Sequence, residues 1–222
     1  MRYYPVYLDI QGRGALVVGG GAVASRKVET LLRAGARVTV VSPRARPSLQ
    51  ALAHEGRLTW HVRPYRSTDM EGAFLAFSAT GDPEVNRHIA ADAARHGVLC
   101  NFADAPERGH FLLPSIVERG DLLISISTSG TSPAVARRLR QALEAHFGEE
   151  YGPYLRLLGR VRKHLLAREH APEAHKQVFE RLIDGGLLAL VEAGDQNGME
   201  ALLKSVLGDD VDHRRLLGGI QR

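Results

Sequence analysis

The chain has 222 residues, 44% of them hydrophobic, a formal charge of +4 and a single cysteine, Cys100. That is apolar material enough for one large domain or two small ones, and one cysteine excludes an intramolecular disulfide. No stretch reaches the roughly 18 apolar residues of a membrane span, and residues 1–7 have no signal-peptide apolar core, so a cytoplasmic protein with no membrane partner is expected. The sequence pI of about 9.4 admits an acidic small molecule or a nucleic acid as partner. The arginines are spread along the chain without interleaved aromatics, and no nucleic-acid partner is expected.

Residues 15–18 form a short apolar run that ends in Gly19, Gly20 and Gly21 and opens into a helical pattern. Gly19, Gly21 and Ala24 have the G-x-G-x-x-G/A spacing of a dinucleotide-binding turn. The first glycine permits the tight turn, the second lets the backbone approach a pyrophosphate, and Ala24 is small enough to bring the helix close to the strand. The helix N-terminus then offers N–H groups to the anion. Ala24, Val28, Leu31, Leu32 and Gly35 fall on one helix face, with Gly35 as the stop. Residues 37–42 read as a second strand that closes a βαβ unit. A short helix over 47–54, a third strand over 58–62 and a buried fourth strand over 73–78 follow. Asp82 and Pro83 are an N-cap and first-turn pair. Their helix carries Val85, Ile89 and Ala93 on one face and ends before Gly97, and residues 98–102 read as a fifth strand. Strands alternating with helices imply a parallel sheet covered on both faces.

The pattern changes after residue 103. Residues 105–109 are loop-like, and 111–115 and 122–127 read as antiparallel strands across a turn near Gly120 and Asp121. The small-residue loop 127–133 leads into a helix capped by Ser132, with Pro133 in its first turn and a buried face of Val135, Leu139, Ala142, Leu143 and Phe147. From Gly148 onward the chain reads as almost wholly helical, punctuated by Gly159, Pro172, Gly185, Gly186, Gly194 and Gly208.

Three places hold candidate chemistry. The first is the glycine turn with the end of the second strand. An acidic residue expected there to hold ribose hydroxyls is absent, and Ser42-Pro43-Arg44 stands instead. Ser42 suits a ribose hydroxyl, whereas Arg44 or Arg46 suits a 2′-phosphate, so NAD and NADP both stay open. The second is Asp104, just past the fifth strand, where ligands bind in open α/β sheets; a turn role before Pro106 is the alternative. The third is the 127–133 loop with Arg137, suited to carboxylates or phosphates, or to nothing more than a capped helix start. His164, His170 and His175 are not spaced as ligands, and no metal site is expected. Cys100 reads as a small buried hydrophobe within a strand.

Taken in order, Pro5-Val6-Tyr7, the 17–27 turn with its Ser25-Arg26-Lys27 end, Cys100-Asn-Phe-Ala-Asp-Ala-Pro106, Phe111-Leu-Leu-Pro-Ser-Ile116 and Ser129-Gly-Thr-Ser-Pro-Ala-Val-Ala-Arg137 resemble the precorrin-2 dehydrogenase family. This is the dehydrogenase/ferrochelatase module of siroheme synthase, and the resemblance covers about residues 1–147. It implies an α/β fold: an N-terminal Rossmann-type parallel sheet over 1–110, a central α+β dimerisation region over 111–147 and a helical C-terminal domain over 148–222. It implies oxidation of precorrin-2 to sirohydrochlorin with NAD as acceptor and, in many members, insertion of ferrous iron that passes through transiently. It assigns Asp104 to both activities, as proton acceptor or metal guide, and implies a homodimer. The methyltransferase domain fused to some members is not expected in a chain this short. The candidate sets are Gly19, Gly20, Gly21, Ala22, Val23, Ser42, Pro43, Arg44 and Thr80 for NAD, and Asn101, Thr128, Gly130, Thr131, Ser132 and Arg137 for the tetrapyrrole, with no resident metal. A nucleotide-sensing Rossmann module without activity, and an NADP-dependent dehydrogenase of a small metabolite, share the glycine turn. The sensing module gives no reason for the 101–106 and 129–137 motifs, and the small-metabolite enzyme has only Arg44 and Arg46 as specific support.

Overall fold

The computed structural model describes residues 2–167 and 172–219, and the chain divides into two compact units, Met1–Leu113 and Pro114–Arg222. The first contains β1 (Gly14–Val18), α1 (Ala22–Arg33), β2 (Arg37–Val41), α2 (Pro47–His54), β3 (Thr59–His61), β4 (Leu75–Ser78), α3 (Pro83–His96) and β5 (Leu99–Phe102). The strands pair in the order β3-β2-β1-β4-β5, all parallel, the arrangement of a Rossmann-type sheet. Val18 lies opposite both Val41 and Ser78, and Ser78 opposite Phe102. The carboxyl ends of β1, β2, β4 and β5 therefore finish level.

Side-chain alternation along these strands splits the apolar residues between two layers. Val17, Val40 and Phe77 pack with Val28 and Leu31 of α1 on one side. Leu16, Val41, Ala76 and Cys100 pack with Ile89 and Ala93 of α3 on the other. Helix α3 starts where Asp82 Oδ1 accepts the N–H groups of Glu84 and Val85 and stops at Gly97, whose φ of 65° is left-handed, so its cap, first-turn proline and stop all follow the sequence pattern. Between β3 and β4, Tyr65 donates its hydroxyl to the buried Asp92 of α3 at 2.9 Å. Nearby, Asp69 accepts from the Arg63 guanidinium and from the Arg66 N–H.

The second unit begins with a hairpin of β6 (Ser115–Arg119) and β7 (Leu122–Ile126), antiparallel across Gly120 and Asp121. Helices α4 (Pro133–His146), α5 (Tyr151–Leu166), α6 (Pro172–Asp184), α7 (Leu187–Ala193), α8 (Gln196–Leu207) and α9 (His213–Leu217) follow. Leu157, Val161, Leu182, Leu187, Met199 and Leu203 form the helical core. Burying each leucine there contributes on the order of 2 kcal/mol. The Arg119 guanidinium donates to the carbonyls of Glu144 and Phe147, closing the C-terminus of α4.

Three expectations are corrected here. Residues 111–115 do not form a strand; the ladder starts at Ser115, because Pro114 has no N–H to donate and the Phe111 carbonyl accepts from Asn101 instead. The face expected to be buried on α4 is largely exposed: Val135 and Leu139 keep 50% and 46% of their surface, Ala142 is exposed as well, and the inward residue is Ala136. Periodicity locates an apolar stripe but not what covers it. Gly159 does not interrupt the helical region but lies inside α5 with open space around it. No described helix is long and apolar enough to cross a membrane.

Burial would push the Asp69 carboxyl up, but the bonds from Arg63 and Arg66 outweigh it and hold the group below the usual carboxylate range. Its stabilising contribution is therefore complete above about pH 4, the ordinary aspartate value, and is lost as pH falls through the depressed one. In urea titrations, Asp69→Asn should be less stable than the native chain at neutral pH. The gap should close as pH falls below about 4; a gap independent of pH would refute the assignment.

Candidate functional site

Gly19 follows β1 directly and sits at φ +119°. A Cβ on it would lie 2.4 Å from the Ala79 carbonyl oxygen, and one on Gly20 would lie 2.1 Å from that of Arg44. The turn is thus pressed against the ends of β4 and β2 by backbone alone, tied by Gly19 N–H to Val41 O at 3.0 Å and Arg46 N–H to Gly20 O at 2.9 Å. Gly21 differs: a Cβ there would meet nothing within 4 Å. It is the N-cap of α1, where no side chain caps the helix and no acidic residue stands in the first turn. Gly21, Ala22 and Val23 are exposed, while Ala24 is fully buried against the sheet. A helix start with unfilled N–H groups and clear space before it fits a dinucleotide pyrophosphate.

The 42–46 loop is fixed beside this turn. Ser42 donates its hydroxyl to the Arg44 carbonyl at 2.7 Å, and its own carbonyl accepts from the Trp60 indole at 3.0 Å. Pro43, Arg44 and Arg46 are exposed. Thr80, past β4, accepts the Asp82 N–H on its hydroxyl at 3.2 Å.

Asp104 lies on the loop that leaves β5. Asn86, one turn into α3 and 4% exposed, donates its amide N–H groups to Asp104 Oδ2 at 2.7 Å and to the Thr80 carbonyl at 3.3 Å. The Asn86 oxygen accepts the hydroxyl of the fully buried Ser78. Asp104 itself is exposed. Its loop is pinned at both ends: Ala103 N–H donates to Ser78 O at 3.0 Å, and His110 N–H to Cys100 O at 2.9 Å. The Cys100 N–H returns a bond to His110 Nδ1 at 3.0 Å; an accepting Nδ1 belongs to the neutral ring with its proton on Nε2.

Asn101 is not on the open surface. It is 5% exposed, accepts from Lys27 at 2.8 Å and donates to Phe111 O at 3.0 Å. Lys27 also lies over the Phe77 ring, 5.2 Å from its centroid. Burial, reinforced by Arg26, lowers the Lys27 pKa. Burial pushes the Cys100 thiol up to about 12, so it stays protonated at neutral pH and serves as packing.

The remaining candidates belong to the second unit. Thr128 Oγ1 donates to Ser132 O at 3.2 Å and accepts the Ser132 N–H at 3.1 Å, closing a loop in which Gly130 has φ 84°. Ser132 caps α4 through the Val135 N–H. Gly130, Thr131 and Arg137 are exposed. Among the described residues no three His, Cys, Asp or Glu side chains are grouped to hold a metal ion; His170 lies outside the described residues.

The structure therefore brings the glycine turn, Ser42–Arg44, Thr80 and Asp104 to one edge of one sheet, and adds Asn86, which the sequence reading did not single out. The available signal was a polar residue in phase with Ile89 and Ala93 on the buried face of α3.

Comparisons with known proteins follow the same division. Residues 6–115 match the model of an NAD(P)-binding family, and residues 119–146 that of the sirohaem biosynthesis protein central family. The chain is similar to the siroheme synthases over nearly its whole length. The siroheme synthase of Nitrosococcus oceani is 35% identical over 207 residues, which is 93% of this chain and 44% of that protein. The Nitrosomonas europaea siroheme synthase is 36% identical over 213 residues, 96% of this chain and 45% of that protein. The chain thus spans about half the length of the curated relatives it matches. The solved structure of SirC, precorrin-2 dehydrogenase, is 28% identical, covers 98% of both chains and superposes with a TM-score of 0.70.

The two contrasting glycines separate folding from binding. Gly20→Ala should lower the melting temperature, because its Cβ meets backbone that cannot rotate away. Gly21→Ala should melt near the native temperature yet bind nicotinamide dinucleotide about 10-fold more weakly, a methyl in the ligand's path costing ~1–2 kcal/mol. Equal nucleotide affinity in Gly21→Ala, measured by calorimetry, would remove the pyrophosphate from that position.

Proposed function

We propose that the protein oxidises precorrin-2 to sirohydrochlorin, with NAD as the hydride acceptor. The observation that carries this reading is a carboxylate, Asp104, held by one oxygen at the carboxyl end of the same Rossmann-type sheet that carries the glycine turn. It stands in a chain that matches a precorrin-2 dehydrogenase end to end. Bound NAD supplies the hydride-accepting ring. Gly20–Val23 would hold the pyrophosphate through backbone N–H groups, on the turn that Gly19 shapes with its own N–H on Val41; Ser42, Pro43 and Arg44 would line the ribose, and Thr80 would complete the cofactor site. Dehydrogenation also releases a proton, and the exposed oxygen of Asp104 takes it. Thr128, Gly130, Thr131, Ser132 and Arg137 bind carboxylates of the tetrapyrrole, using the α4 N-terminus and a guanidinium. Asn101, the remaining candidate for the tetrapyrrole, ties Lys27 to the chain at Phe111 within the first unit.

Ferrous iron, if inserted, is a substrate that meets the same exposed carboxylate. Residues 111–147 form the dimerisation region: Ile116, Leu123, Val135 and Leu139 leave apolar surface exposed on β6, β7 and α4 of one chain, the composition of a subunit interface. A homodimer in which these residues are covered is the expected assembly.

The test is an anaerobic assay with enzymatically generated precorrin-2 and NAD, reading NADH and tetrapyrrole absorbance together, with a second arm containing ferrous iron. Asp104→Asn should lose about 10²-fold or more in turnover while binding NAD within about 2-fold of the native protein. Full turnover in this variant would take Asp104 out of the chemistry, and nucleotide binding without any turnover in the native protein would favour a sensing module. In titrations, NAD should bind more tightly than NADP. The opposite order would make Arg44 and Arg46 readers of a 2′-phosphate.

A further inference from the structure

We propose that Asn86 is a positioning residue for Asp104: its buried amide fixes one carboxylate oxygen and so aims the other, coupling the nucleotide side of the site to the proton acceptor. The proposal rests on the reading of Asp104 as that acceptor. The orientation of the amide is dictated by its neighbours. The Thr80 carbonyl and the Asp104 carboxylate can only accept, so the NH2 end must face both, leaving the oxygen for the Ser78 hydroxyl. With two N–H groups and one oxygen engaged, Asn86 has no latitude to rotate, and at 4% exposure water does not compete for its bonds. Ser78 ends β4, Thr80 follows it, and the Ala79 carbonyl between them is the backbone that Gly19 presses against. A rigid route therefore runs from the glycine turn through the 78–80 segment and Asn86 to Asp104.

A neutral donor is the suited choice. A lysine or arginine here would pair with the carboxylate and compete with the proton it must accept. An aspartate would put two carboxylates within hydrogen-bond reach, and one of them would then hold a proton to higher pH. Other charged groups on the elements that meet here are Glu107 and Arg108 on the Asp104 loop, and Asp82, Glu84 and Arg87 at the start of α3. Of these, Asp82 is occupied as the helix cap and Glu84 pairs with Arg87.

The experiment is a double-mutant cycle on the full chain with saturating NAD and precorrin-2 as the varied substrate. Asn86→Asp should lower kcat about 30- to 100-fold, the scale of a misplaced catalytic group, with KM within about 3-fold. The acid limb of its pH–rate profile should move up by about one unit. Asn86→Ser is the second variant, since a side chain too short to reach Asp104 puts no buried charge at risk in folding; it should lose about 10-fold or more in kcat. Placed on Asp104→Asn, either change should cost less than about 2-fold further. Losses that multiply on the Asp104→Asn background, or an acid limb that stays in place, would overturn the positioning role while leaving Asp104 as the acceptor. Full turnover in Asp104→Asn alone would overturn the acceptor reading and the positioning role together.

Discussion

Three strand ends meet at two residues that have no side chain. Gly19 lies against the Ala79 carbonyl and Gly20 against that of Arg44, at separations that leave no room for a Cβ. This close approach lets the Gly19 N–H reach Val41 and the Arg46 N–H reach Gly20. The ends of β1, β2 and β4 are therefore locked level, and the loops that carry Ser42, Thr80 and, through Asn86, Asp104 inherit their positions from the lock. Helix α1 begins directly after it with neither a capping side chain nor an acidic first turn, which leaves the N-terminal N–H groups for an anion.

The Asp104 loop shows how a polar group is held at the rim of an apolar sheet. Its start is tied to Ser78 and its end to Cys100 by backbone bonds, with His110 Nδ1 closing a reciprocal bond. Beyond it, Asn101 links Lys27 to the Phe111 carbonyl, and the Phe111 ring meets Phe77 edge-on at 5.6 Å. Asn86 bonds to this loop and Asn101 to the residue that follows it, and both are nearly inaccessible. Each buried amide satisfies donors and acceptors that would otherwise cost about 1–3 kcal/mol apiece if stranded, so each specifies the loop path as well as stabilising it.

In the second unit the division of labour differs. The α5–α9 helices close on their own core of leucines, valines and methionine. The hairpin and α4 bury one row of side chains and leave Ile116, Leu123, Val135 and Leu139 substantially exposed. Side chains cap both ends of α4, Ser132 at its start and Arg119 at its end, so the helix is well defined despite that open face.

Local chemistry made much of this legible in one dimension. The glycine spacing, the Asp82-Pro83 start with its Gly97 stop, the Gly120-Asp121 turn and the Ser132-Pro133 start each depend on residues a few positions apart, and each forms where the pattern put it. The position of Asp104 at the strand ends followed from the alternation of strands and helices, and the order of motifs resembled the family whose proteins the chain matches. Asn86 showed only as a polar residue on an apolar face, and its role was not legible because its partners lie 6, 8 and 18 residues away on two other segments. Asn101, conspicuous in the sequence, became an internal tie because Lys27 lies 74 residues before it. The α4 stripe was readable as apolar, but its exposure depends on what packs beside it. Backbone geometry and short-range capping are properties of neighbouring residues, whereas the partner of a buried amide and the cover of an apolar face are decided only when distant segments meet.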